Sequence, residues 1–148
     1  MIGLIQRVTR ARVDVGSETV AAIGPGMLVL VGVARSDTEA QAARLAERLL
    51  CYRIFADAEG RMNRDVRAAD GELLLVPQFT LVADTRKGRR PSFSGAAPPP
   101  QGRALFEALV AECRSAYPRV ATGRFGAEMQ VRLTNDGPVT FWLEVGPQ

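Results

Sequence analysis

The chain has 148 residues, 47% of them apolar and 24% charged, with 19 basic and 16 acidic side chains and no histidine. That balance supports one ordinary domain, residues 1–148, with a core of its own, and it excludes a disordered chain. The missing histidine excludes Ser-His-Asp and Cys-His catalysis and most zinc hydrolysis, so an enzyme of this composition works with carboxylates, hydroxyls, backbone groups or its substrate's own chemistry.

No apolar run approaches the ~20 residues of a membrane span, so no membrane partner is expected. The opening MIGLIQRVTRARVDV interrupts its apolar residues with charge at once, unlike a signal peptide, and the expected compartment is the cytoplasm. Its alternation from Arg7 to Val15 predicts a strand. Gly16-Ser17-Glu18 turns the chain into a second short strand, Thr19 to Ile23. After Gly24-Pro25-Gly26 the unbroken apolar run Met27 to Val33 predicts a central strand covered on both faces.

Ser36-Asp37-Thr38 ahead of Glu39 is a helix start signal, and Ala40 to Tyr52 follows as an amphipathic helix with Ala43, Leu45, Ala46, Leu49 and Leu50 inward. Arg53-Ile54-Phe55 reads as a brief strand and Asp57 to Asp65 as polar loop. Glu72 to Val76 is a second buried strand, running into Pro77-Gln78-Phe79-Thr80-Leu81. Ala83 to Pro100 is the longest irregular segment. Gln101 to Tyr117 is a second helix with Ala104, Leu105, Ala108, Leu109 and Cys113 inward, stopped by Pro118. Arg124 and Phe125 open a strand through Met129 to Leu133, and Thr140 to Val145 closes the chain. Strands, helix, strands, helix, strands predict an α/β fold: a mixed, mostly antiparallel barrel-like sheet with helices packed on one side. Cys51 and Cys113 fall in apolar helical stretches without a CxxC, so both are expected as buried thiols, and no metal site or organic cofactor is indicated.

Three stretches can carry chemistry. Pro77 cannot donate to a ladder, so pairing is interrupted where PQFTL leaves its strand. Period two then sets Gln78 and Thr80 on one face, either as the wet face of an ordinary strand or as a polar wall beside backbone N–H groups able to hold an oxyanion. In NDGPVT, Asn135-Asp136-Gly137-Pro138 is a turn signal with positive φ expected at Gly137 and a candidate cis bond at Pro138. Arg86, Lys87, Arg89 and Arg90 crowd into five residues of the long loop, either as a solvated basic surface or as a phosphate contact. Phe141 and Trp142 read as core or dimer packing.

PQFTL, NDGPVTFW, the opening MIGLIQRVTRARV, RPSF and TGRF stand in an order and spacing that resembles the bacterial D-aminoacyl-tRNA deacylases from end to end. In that family the first motif normally reads SQFTL and the second NxGPVT. The resemblance implies a cytoplasmic homodimer that hydrolyses the ester between a D-amino acid, or glycine mischarged on alanine tRNA, and the 3′-terminal adenosine of tRNA, with the RNA 2′-hydroxyl assisting and no cofactor. It implies a cis Gly137-Pro138 pair that enters the partner's site as a chiral gate rejecting L-amino acids, with Arg7 as its support. It also implies a pocket floor of Gln78, Phe79 and Thr80 in the catalytic position, and tRNA phosphate contacts from Arg86, Lys87, Arg89 and Arg90; no DNA is implied. Pro77 stands where the family has Ser. A related animal family that clears L-alanine from a threonine tRNA has Pro there, but Ala where this chain has Phe79. An L-alanine editing hydrolase and a non-catalytic RNA-binding module are the alternatives.

Overall fold

The computed structural model describes residues 1–146. Its first strand, β1 (Ile2–Val15), is flanked by β2 (Glu18–Ile23) and β3 (Gly26–Gly32), and helix α1 (Glu39–Cys51) follows. A small hairpin comes next, β4 (Phe55–Ala56) and β5 (Met62–Arg64), then β6 (Glu72–Pro77), a 3₁₀ turn (Phe79–Val82) and helix α2 (Pro99–Ala116). Strands β7 (Val120–Thr122) and β8 (Gln130–Glu144) complete the chain. The sheet order is β2-β1-β3-β6-β7, with β8 on β1. β1 is antiparallel to β2, β3 and β8, while β6 is parallel to β3 and β7. β2 returns against β6 and β7, which curls the sheet into a near-barrel as expected.

The continuous apolar runs of β3 and β6 are explained by two cores. Met27, Val29, Val31, Leu73 and Leu75 face the helices and pack with Leu45, Leu49 and Leu109. Leu28, Leu74 and Val76 point the other way, into the barrel with Val8, Val13 and Ile23. Period-two alternation thus feeds one strand's side chains to two apolar compartments, and neither face needs polar residues. Helix α1 starts at Thr38, whose hydroxyl accepts from the Ala40 N–H while Gln41 reaches back to the Thr38 N–H, a reciprocal cap. Gln41 and Ala42 are buried and Ala43 is exposed; in α2, Phe106 and Val110 are buried and Ala104 is exposed. The inward stripes are therefore each rotated from the expected ones.

Between the helix cap and the chain start lies a buried ion pair. The Met1 ammonium donates to Asp37 Oδ1 at 2.6 Å and to the Val145 carbonyl at 2.7 Å, and Asp37 Oδ2 accepts the Ala34 N–H at 2.6 Å.

Several expectations need correction. NDGPVT does not separate two strands: β8 runs through it without leaving β1. Val8 pairs Asn135 and Gln6 pairs Thr140, so β8 takes five steps where β1 takes two, and the excess bulges outward. Asn135 holds the bulge by donating its side-chain amide to the carbonyls of Arg7 and Val139, both at 3.0 Å. Arg124 and Phe125 lie in a loop ahead of β8, and the short β7 was not foreseen. The brief strand comes at Phe55–Ala56, after the fully buried Ile54, because only these residues pair with β5, which lies in the supposed polar loop. Ala83 to Pro100 is less irregular than expected: Asp84 and Ser92 exchange backbone bonds at 2.8 and 3.0 Å, and Ala34 bridges Ala96.

Cys51 ends α1 on its wet side and is exposed, with the Arg67 guanidinium 3.3 Å from its sulfur, whereas Cys113 is buried. Burial pushes the Cys113 thiol up to about 12. A native thiol titration is therefore expected to consume one cysteine quickly, Cys51, with the second released only by denaturant. Two fast thiols would show that the core does not cover the face of α2 that carries Cys113.

Candidate functional site

Strand β6 ends at Pro77 because the chain has no N–H there to extend the ladder. The Gln78 N–H still reaches the Val31 carbonyl at 2.7 Å, but the Gln78 carbonyl then accepts the Leu81 N–H at 3.2 Å and closes the 3₁₀ turn. This corrects the expectation of a shared strand face. Gln78 and Thr80 nonetheless meet, since Gln78 Nε2 donates to Thr80 Oγ1. The amides of Phe79 and Thr80 are the first of the turn and have no acceptor within it. Gly32 makes room for this turn: a Cβ there would stand 3.0 Å from Leu81 Cβ and 3.4 Å from the Gln78 carbonyl oxygen.

Gln78 and Phe79 line a cavity of about 660 Å³ that runs beneath the start of α2. Val31, Val33, Phe106 and Phe125 form much of its apolar wall. Phe79 is 59% exposed and leans on Phe93 of the long loop, with ring centroids 5.1 Å apart, so the RPSF stretch meets the PQFTL turn. Phe125, from TGRF, packs toward Phe106, and Arg103 stands over its ring at 4.9 Å. Three motifs far apart in sequence thus border one cavity.

Gly137 and Pro138 lie elsewhere in the chain. Their peptide bond is cis and Gly137 has φ +133°, the positive value expected. Both residues are exposed on the β8 bulge. Arg7 lies against them: its Nε donates to the Asp136 carbonyl at 3.2 Å and lies 3.3 Å from the Asp136 carboxylate, while Nη1 donates to the Ile54 carbonyl at 2.8 Å. Arg7 pairs Met27 at one end of β3, whereas Pro77 pairs Val31 at the other. Four residues of strand separate those levels, roughly 13 Å, so one chain does not unite the two motifs.

The basic loop is divided. Arg86 is committed to Asp84 through two guanidinium bonds of 2.9 and 2.7 Å. Those bonds hold the Asp84 carboxyl well below the usual carboxylate range and raise Arg86. Lys87, Arg89 and Arg90 are exposed and form no ion pair among the described residues. Sequence reasoning missed Arg35, which also borders the cavity; a single arginine between Ala34 and Ser36 carries no motif to find it by. Among the described residues no helix is long and apolar enough to cross a membrane. No group of three or more thiol or acidic side chains among them is placed to hold a metal ion.

A family model described as D-Tyr-tRNA(Tyr) deacylase matches residues 4–144. A protein of Thioalkalivibrio sulfidiphilus named D-aminoacyl-tRNA deacylase is 64% identical over 147 residues, covering 99% of this chain and 99% of its own. A protein of Nitrosococcus oceani with the same name is 59% identical over 147 residues, 99% of this chain and 95% of its own. A solved structure titled c-Myc DNA Unwinding Element Binding Protein superposes with a TM-score of 0.94 at 37% identity, over 99% of this chain and 100% of that one. A second, titled as a probable eukaryotic D-amino acid tRNA deacylase, shares the fold at a TM-score of 0.82 and 20% identity, over 97% of this chain and 98% of that one.

Proposed function

The chain belongs to the D-Tyr-tRNA(Tyr) deacylase family, and from that membership we propose that it hydrolyses the ester of D-aminoacyl-tRNA in the cytoplasm, as a homodimer, releasing the D-amino acid and tRNA. The observation that carries this reading is the turn at Gln78–Thr80, with two amides lacking acceptors within it, beside an apolar cavity and in a chain without histidine. Such amides stabilise negative charge on a carbonyl oxygen as water adds to the ester carbon. The bond from that carbon to the 3′-oxygen of the terminal ribose then breaks, and a proton from the water reaches the leaving oxygen through the neighbouring 2′-hydroxyl. No protein base is required on that route. Glycine, which has no side chain, enters the same site, so glycyl-tRNA is a second substrate in this reading.

Gly137-Pro138 serves as the gate in the partner's site. Support comes from its exposure on a bulge braced by Arg7, and from its separation from the turn of its own chain. A main-chain wall has no rotamer to change, so an L side chain pointing into it must clash. Trp142, 51% exposed on the same strand, supplies apolar surface for a subunit contact.

Loading one tRNA with D-tyrosine and with L-tyrosine tests the reading. Rapid loss of the D-ester at catalytic enzyme concentration, with the L-ester intact, is the expected result. Persistence of both esters rejects it, and selective loss of L-alanyl-tRNA would assign an L-editing role to the Pro77 variant of the motif. Thr80→Ala is expected to lower kcat by less than about 10³-fold, since the hydroxyl is a contact and the amide remains. Complete loss in a folded variant would make Thr80 the group that moves the proton.

A further inference from the structure

We propose that Arg35 is a further tRNA-binding residue, which holds the phosphate on the 5′ side of the terminal nucleoside while that nucleoside occupies the cavity. The proposal rests on the deacylase reading above. Arg35 is the one charged residue among those lining the cavity. Its backbone is fixed on both sides: its N–H donates to the Gly95 carbonyl at 2.9 Å, and its carbonyl accepts from Gln101 Nε2 at 3.0 Å. Its Nε donates to the Ser94 carbonyl at 3.3 Å, which ties the side chain to the long loop. The two terminal nitrogens make no hydrogen bond, and no carboxylate pairs with the guanidinium, among the described residues. Arg86 and Arg119 each satisfy a nearby Asp instead. Arg35 is thus an exposed cation with its fork free, held at the edge of an otherwise uncharged cavity.

The chemistry of the substrate narrows what that fork can meet. In an aminoacyl ester the α-carboxyl is consumed by the ester bond and the amino group is cationic, so with an uncharged side chain such as that of tyrosine the anions presented are the phosphates. A guanidinium fork suits a phosphate because two N–H groups can engage two oxygens at once. Lys87, Arg89 and Arg90 lie on the same long loop that Ser94 and Gly95 tie to Arg35, so further exposed cations share the segment to which Arg35 is bonded.

The test compares two substrates with wild type, Arg35→Gln and Arg35→Lys. One is D-tyrosyl-tRNA; the other is 3′-O-D-tyrosyl-adenosine, which has no phosphate. With the tRNA, Arg35→Gln is expected to lose roughly 10- to 100-fold in kcat/KM. Its plot of log kcat/KM against log salt should be shallower by about 0.7, the value for one phosphate contact on a single strand. With the adenosine ester the same variant should match wild type, and Arg35→Lys should recover part of the loss on tRNA. Equal losses on both substrates would overturn the proposal and make Arg35 a brace for the loop. No loss on either would overturn it as well. A wild type that leaves D-tyrosyl-tRNA intact, whether or not it cleaves the adenosine ester, would remove the deacylase reading and this proposal together.

Discussion

Gly137→Ala is expected to lower kcat/KM for D-aminoacyl-tRNA by at least about 10²-fold, the scale set by an ångström of displacement at a reacting centre. Gly137 has φ +133°, where an L side chain is strained whatever the space around it. The space is also occupied: a Cβ would stand 2.6 Å from Val139 Cγ2, 3.0 Å from the Val139 nitrogen and 3.3 Å from Arg7 Nη2. Val139 is buried in the helix-facing core, so it cannot yield freely, and the displacement passes to the bulge and to Arg7. Such a backbone position costs roughly 1–3 kcal/mol, which leaves a stable domain folded. Thermal melting would verify this beside the kinetics. If the gate acts in trans, dimers mixing Gly137→Ala with Thr80→Ala regain one intact site. Each such site combines a normal turn from one chain with a normal bulge from the other. Mixed dimers no better than either parent would place the gate in its own chain's site, and unchanged kinetics in Gly137→Ala would end its role.

Asp37→Ala is expected to destabilise the fold by about 3–5 kcal/mol, the cost of leaving one member of a buried pair alone. Both partners are essentially without solvent, with side-chain exposures of 0% and 1%. The Met1 ammonium would keep only the Val145 carbonyl, and the Ala34 N–H would lose its acceptor. At roughly 3 °C per kcal/mol for this size, the melting temperature should fall by about 10 °C. Asp37→Asn keeps an acceptor and should lose less. A fall of under about 2 °C in Asp37→Ala would mean that water reaches the pair. Because Arg35 is two residues away and Gln101 bonds the carbonyls of both Arg35 and Asp37, the variant should also loosen the cavity edge.

What the sequence alone determined is what depends on near neighbours. The apolar runs Met27–Val33 and Leu73–Val76 announced strands covered on both faces, because a strand facing water on one side must alternate. Ser36-Asp37-Thr38 ahead of Glu39 announced the start of α1, because a helix cap is closed within a few residues. The two motifs were legible as chemistry because Pro77 removes a donor and Gly137 tolerates positive φ wherever the chain carries them. The tertiary structure decided the rest. NDGPVT is a turn by composition, yet β1 holds the chain on both sides of it, so the extra residues bulge from one strand. PQFTL is a strand by alternation, but the Gln78 carbonyl finds the Leu81 N–H once Pro77 ends the ladder. Cys51 and Ala43 look apolar and inward, and only the packing of α1 on α2 and the sheet chose which stripe was buried. Arg35 had no local signal whatever. Its place at the cavity follows from bonds to Ser94, Gly95 and Gln101, some 60 residues along the chain, and contacts of that span are fixed by the fold's topology, which no short window of sequence contains.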